Sequence, residues 1–500
     1  MLTDGAHMMK KPLSMKCLIV VTGFLACLVF AGAASPGEWE LYSKGEAANA
    51  RWDKFVRDGF EAYEERNAGI AAAKLEKAIA KGCFDAVVYY RLGNCYVVLG
   101  KKDEAVKQYK RAEELLPVQY PGHRYTHHVH NKQGNLAIEK GSAKEALACF
   151  SKSLELKPSF SEAHNGLGTA YKMLGDRKRA EEYYRKAVSL APNDIEGRIN
   201  LANLLGEDGK FEEAMAEYRK ALAIDPEHAA AHNNMGNALA REGMLDDAVR
   251  EYDLALTIAP DYAEPYLGLG RVLMVRGRHK DALNAFTAAQ KRTPGSYLPL
   301  YLKGRAYTDR GSYRKAVSSF KKAMAMDPGN PEPYLGMGMV YVRQEKYQKA
   351  IENFNKALEI NKQLPEAHKQ LGRTYYHMGN YVKAAQSLDV ASRLSGGDAE
   401  SDLLLGLARM KLLDYEGASD LFNKVLSRDG ENVGAMMALG EVAMKQKKYD
   451  EALSCYERAI AIEPGNAAAH YRLGFAYDKK GRTQEAFRAY QKADMLGAKR

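Results

Sequence analysis

Residues 161–194 read SEAHNGLGTAYKMLGDRKRAEEYYRKAVSLAPND, residues 195–228 read IEGRINLANLLGEDGKFEEAMAEYRKALAIDPEH, and residues 229–262 read AAAHNNMGNALAREGMLDDAVREYDLALTIAPDY. The three strings superpose without a gap. A small residue stands at the eighth position (Gly168, Ala202, Gly236), a glycine at the fifteenth (Gly175, Gly209, Gly243) and an alanine at the twentieth (Ala180, Ala214, Ala248). Tyrosine follows at the twenty-fourth (Tyr184, Tyr218, Tyr252) and proline at the thirty-second (Pro192, Pro226, Pro260). A glycine at mid-unit is where a left-handed residue ends one helix. Proline near the end cannot continue a second helix and resets the chain. Each unit therefore reads as a helical hairpin.

Working outward, the same 34-residue register starts units at 52, 86, 127, 161, 195, 229, 263, 297, 331, 365, 399, 433 and 467. Residues 52–119 hold two units, residues 120–126 interrupt the register, and residues 127–500 hold eleven contiguous units. Position 8 is Gly in twelve of the thirteen, position 20 is Ala in all, and position 24 is aromatic in eleven, so two helices can approach closely only beside that ring. Position 15 is Gly in nine units and position 32 is Pro in eight, Pro117 among them, which predicts that the second helix stops there. The first unit departs most, with Asp58 in place of an apolar residue and Cys83 in place of Pro, and reads as a cap.

The period and its residues resemble the tetratricopeptide repeat. Unit 86 carries Tyr89, Leu92, Gly93, Tyr96, Ala105, Tyr109, Ala112 and Pro117 at the family positions, and unit 161 carries His164, Leu167, Gly168, Tyr171, Ala180, Tyr184, Ala187 and Pro192. The resemblance implies an all-α fold, an α-solenoid of about thirteen hairpins forming a superhelix. A single hairpin cannot bury its apolar stripe, so stacking supplies the core and leaves an extended concave surface.

Ahead of the repeats, Lys10, Lys11 and Lys16 precede an apolar run from Cys17 to Phe30 and the small residues Ala31, Gly32, Ala33 and Ala34. That is the layout of a secretory signal peptide in residues 1–34, with cleavage after Ala33 or Ala34, followed by a linker over 35–51. An uncleaved anchor is the alternative, and it would be the only membrane contact. Both expect the repeats to be exported, to the periplasm or beyond the cell, and the uncleaved form would be anchored in an inner membrane. Cys83, Cys95, Cys149 and Cys455 remain after the leader; a solenoid joins only neighbouring repeats, so they are expected as small buried apolar residues.

A net charge of +10 falls to +8 without residues 1–34 and is spread along the chain, which does not make a nucleic-acid surface. No phosphate loop, zinc-protease or nucleophile-elbow motif occurs, so the chain is expected to be non-catalytic and to need no cofactor. His123, His127, His128 and His130 fall within eight residues and are weak metal candidates. His130 shares position 4 with His164, His232, His368 and His470, which favours packing.

In the family, positions 2, 5, 6, 9, 12 and 13 of the first helix face the groove. Asn94, Asn131, Asn135, Asn165, Asn200, Asn203, Asn233, Asn234 and Asn237 recur there. Asparagine is a poor helix former, so its repetition asks for a reason. Its amide both donates and accepts, and can hold a peptide backbone whatever the side chains. Asparagine ladders are similar in the repeat region of O-linked N-acetylglucosamine transferases; solvation of the groove, or bonds to neighbouring helices, is the other reading. Farther on, position 9 becomes Arg271, Arg305 and Arg373, a cationic line suited to acidic segments. Turns rich in Lys and Arg either complement helix dipoles or form a basic edge. The expected partners are proteins or peptides, in cell-envelope assembly or secretion. Alternatives are a metal-binding or polysaccharide- or membrane-associated envelope protein, or an accessory subunit of a glycosyltransferase or export complex.

Overall fold

The computed structural model describes residues 53–120 and 125–497. Among them are 26 α-helices and no strand, alternating as first and second helices of thirteen hairpins from Asp53–Glu64 to Thr483–Met495. The Lys-flanked apolar run, its cleavage site and the linker lie outside the described residues. Among the described residues no helix is long and apolar enough to cross a membrane. The chain forms two compact units, one up to Gly268 and one from Leu269.

Within each unit one device recurs. A Cβ placed on Gly168 would stand 2.5 Å from the Tyr184 ring, and one on Gly440 2.5 Å from the Tyr456 ring. Position 8 is glycine in all but one unit, where it is Ala202, because the position-24 side chain lies against its backbone. The ring also reaches the following hairpin, since a Cβ on Gly166 or Gly336 would collide with the ring of the preceding unit, Phe150 or Phe320. Position 20 alanines are buried in every hairpin, from Ala71 to Ala486.

Position 15 has positive φ in every hairpin. Nine are glycine, and the remaining four, Arg66, Glu345, Leu413 and Lys447, are the only described non-glycine residues with positive φ. Stacking thus imposes the left-handed turn even where the residue disfavours it, at roughly 1–2 kcal/mol each.

Position 4 closes a second recurring bond. Nε2 of His164, His232 and His470 donates to the carbonyl of Pro158, Pro226 and Pro464, at 2.9, 3.1 and 3.1 Å, and His368 does the same to Lys362 at 3.0 Å. Each carbonyl lies just past the preceding second helix, so this side chain satisfies a group the helix end leaves unpaired.

One proline departs from expectation. Helix Lys102–Gln119 runs through Pro117. Its extra turn is fastened elsewhere: Gln119 Oε1 accepts from the Ala86 amide at 2.8 Å, Gln119 Nε2 donates to the Phe84 carbonyl at 2.5 Å, and the Tyr120 hydroxyl donates to Asp85. These bonds offset the one Pro117 cannot make, and the extra turn coincides with the break in register.

Cys83, Cys95 and Cys455 are buried, Cys149 is half-buried, and all four are free thiols. Burial pushes the Cys83 and Cys95 thiols up to about 12. Cations near the turns reach acids of an adjacent hairpin, as in Lys102–Glu139 at 2.8 Å, Lys140–Asp103 at 2.7 Å and Lys172–Glu207 at 2.8 Å. Exposed pairs of this kind contribute little individually.

Candidate binding cleft

Seven of the nine asparagines fall into two groups by what their amides touch. Asn94, Asn203 and Asn237 stand at position 9 and accept from the buried position-24 tyrosine fifteen residues later: Tyr109 to Asn94 at 2.6 Å, Tyr218 to Asn203 at 2.5 Å, Tyr252 to Asn237 at 2.8 Å. Asn94 is itself buried, and its amide nitrogen donates to Tyr63 at 2.9 Å. Thr169 meets Tyr184 in the same way at 3.0 Å. The signal was present in the sequence as a pairing. Where position 24 is Phe or Leu, with no hydroxyl to satisfy, position 9 is free to be Asn135, Arg271, Arg305, Met339 or Arg373.

A second set opens onto a cleft of about 550 Å³ in the N-terminal unit, walled by first helices of successive hairpins. Asn131, Asn135, Asn165 and Asn200 line it, with Lys132, His128, Phe160 and Asp194. Asn200 donates to Asn165 Oδ1 at 3.1 Å, linking two hairpins. Asn131 is 5% exposed and its Oδ1 has no hydrogen-bond donor. A buried acceptor left unmet costs about 1–3 kcal/mol. Burial pushes the Lys132 ammonium down to about 8 against the pull of Glu162, and raises the Asp194 carboxyl. Asn203, Asn234 and Asn237 border a smaller pocket of about 250 Å³ with Lys172 and Arg241. Asn233 is buried, donates to Asn234 at 3.4 Å, and its Oδ1 is likewise unmet.

The arginines belong to the C-terminal unit and do not act alike. Arg373 is paired with Glu400, which also takes Lys369 at 2.9 Å. Arg305 and Arg271 are exposed, and the Arg305 charge opposes the rise that burial gives the Tyr301 hydroxyl.

The histidines do not converge on a common point. His127 is buried edge-on to Phe160, 4.7 Å between ring centroids, and burial with nearby Lys157 pushes it down to about 4. His128 faces the same ring at 4.9 Å, while His130 Nδ1 meets Gln133 at 3.2 Å. His123 lies outside the described residues. Among the described residues no three His, Cys, Asp or Glu side chains are grouped to hold a metal.

Comparison with known proteins follows this geometry. Family models described as TPR repeat match residues 134–175, 202–243, 338–379 and 440–481, and models described as tetratricopeptide repeat match 86–117, 161–194, 229–262, 267–331 and 467–496. Together they span more than half of the chain. No curated protein matches. Among solved structures, yeast Tom70 is 17% identical with a TM-score of 0.46, covering 80% of this chain and 96% of its own. Cut9 in the APC/C hetero-tetramer Cut9–Hcn1 is 16% identical with a TM-score of 0.44, covering 86% and 97%. A tetratricopeptide repeat protein from Parabacteroides merdae is 20% identical with a TM-score of 0.42, covering 50% and 98%. From the repeat models and the hairpins, the chain belongs to the tetratricopeptide-repeat family.

Proposed function

We propose that this chain is an exported protein–protein interaction scaffold of the cell envelope, and that its N-terminal unit holds an extended partner segment by its backbone. The observation that carries the reading is the cleft walled by Asn131, Asn135, Asn165 and Asn200, in which Asn131 Oδ1 is a buried acceptor awaiting a donor. A peptide N–H supplies that donor, and the remaining amides can both give and accept along a strand. Every described helix belongs to a repeat hairpin, so the described chain is scaffold throughout. Export is supported by the lysines and apolar run of residues 10–34.

The test uses peptides selected from a random phage-displayed library against the full chain. Replacing Asn131, Asn135, Asn165 and Asn200 together with Ala should weaken cleft ligands by about 2–6 kcal/mol, roughly 30-fold or more, at about 0.5–1.5 kcal/mol per bond. Helicity should hold, because Ala is the better helix former. Asn203 and Asn237 are left in place because they satisfy buried tyrosines. Unchanged affinity of every selected peptide would overturn the cleft reading. For export, mass spectrometry of the purified chain should find it beginning at Ala34 or Ser35, or whole in the membrane fraction as an anchored form; an intact chain confined to the cytoplasm would refute export.

A further inference from the structure

The C-terminal unit carries a surface of a different chemistry. Over the last three hairpins the groove positions change from amides to large apolar side chains: Leu403, Leu407, Met437, Met444, Tyr471 and Phe475. Two pockets lie here, about 460 Å³ and about 250 Å³. Leu407 and Met437 line the first, Met444 and Phe475 the second. Glu441 and Arg472 line both and are joined by an ion pair of 2.5 Å, so the pockets adjoin across a bonded, neutral pair. Tyr471 and Phe475 are each 42% exposed, large rings that the fold itself leaves uncovered.

Charge selects what covers them. Position 13 is Lys411, Lys445 and Lys479 in three successive hairpins, all exposed, and the second pocket is bordered by Lys445 and Lys479. Lys479 lies over the Phe475 ring at 5.1 Å, which places a cation beside the most exposed apolar group of the pocket. Helix-dipole complementarity accounts for one lysine at each helix end, and leaves the uncovered rings beside them unexplained. Of the two acids that line the pockets, Glu441 is spent on Arg472, and Glu463, in the first pocket only, accepts from the Asn466 amide at 2.8 Å, away from the lysine row of the second.

We propose that this groove is a second docking surface, for a segment of a partner protein that presents large apolar side chains flanked by carboxylates. The apolar groups enter the two pockets, where unbranched, polarizable Met437 and Met444 adapt to their shape. The carboxylates lie along the lysine row. This surface is independent of the asparagine cleft, and the two can fail separately.

The experiment pans a random phage-displayed peptide library on the full chain and on the cleft variant with four asparagines replaced. Peptides that bind both should be enriched in Leu, Phe, Asp and Glu. They should lose about tenfold or more affinity on the exposed triple variant Lys411→Glu, Lys445→Glu, Lys479→Glu, and the sign of their salt dependence should reverse, because carboxylates then face carboxylates. Phe475→Ser should weaken them without altering the salt dependence. Peptides with no acidic or apolar bias, or equal binding to the triple variant, would overturn the proposal. So would phosphatidylglycerol vesicles that bind the chain and lose it on the triple variant while peptides do not, since the surface would then be a lipid contact. A concentration-dependent dimer in light scattering, abolished by the same variant, would overturn it in favour of a second copy.

Discussion

Phe320→Ala is expected to destabilise the C-terminal unit by about 3–5 kcal/mol, the range for removing a buried aromatic ring. The ring is 1% exposed and touches two glycines at once. A Cβ on Gly304, in its own hairpin, would stand 2.5 Å from it, and a Cβ on Gly336, in the next, 2.6 Å. Where the ring meets those glycines the void would be faced by bare backbone that cannot fill it, and only the flanking side chains, Tyr301 with its ring centroid 5.9 Å away and Met337 among them, could relax inward, so the cavity collapses only in part. Stability in a stack is close to a sum of unit and nearest-neighbour terms, and this ring contributes to both. The expected result in urea is therefore an earlier midpoint in far-ultraviolet circular dichroism and a broadened transition as hairpins on either side uncouple. Phe320→Leu should cost much less, because Leu388 fills the same position against Gly372 two hairpins on. A Phe320→Ala chain with the native midpoint would refute the wedge.

Why some features were legible in the sequence and others were not follows from the range of the contacts involved. The glycine, alanine and aromatic positions constrain one another within a single hairpin, so thirteen copies repeat the same statement. The left-handed turn at Glu345, Leu413 and Lys447 was not legible from those residues themselves; it is imposed by flanking helices that the register alone reveals. Pro117 misled because its helix is continued by Gln119 and Tyr120, whose partners Phe84, Asp85 and Ala86 lie more than thirty residues back. The asparagines looked like one ladder because they share groove positions. At position 9 their role depends on whether the ring fifteen residues later carries a hydroxyl, as it does for Asn94, Asn203 and Asn237 and does not for Asn135, a coupling between positions that a position-by-position reading passes over. Asp402 gave no signal either, since it occupies a position that eight of the other twelve units fill with His or Tyr.

Asp402→Ala is expected to cost about 3 kcal/mol, the lower part of the range for breaking a buried ion pair. Its carboxylate is fully buried and is held on several sides: Ser392 Oγ donates at 2.5 Å, Lys424 Nζ lies 3.0 Å away and Arg428 Nη1 3.0 Å away. Arg428 also bonds the Gly397 carbonyl, in a turn where Gly396 and Gly397, with φ of 69° and 85°, replace the usual proline. The position-4 side chain elsewhere tidies one helix-end carbonyl; here a carboxylate gathers two cations around a glycine turn and ties three helices together. The cost falls at the low end because Lys424 and Arg428 are 44% and 40% exposed and can turn to water once the carboxylate is gone. For the same reason Lys424→Ala should cost well under 1 kcal/mol, as Arg428 remains to pair the buried charge. Urea midpoints of the two variants, and of the double variant, measure the coupling. If Asp402→Ala costs no more than Lys424→Ala, the carboxylate is not the centre of the joint and the glycine turn holds by packing alone.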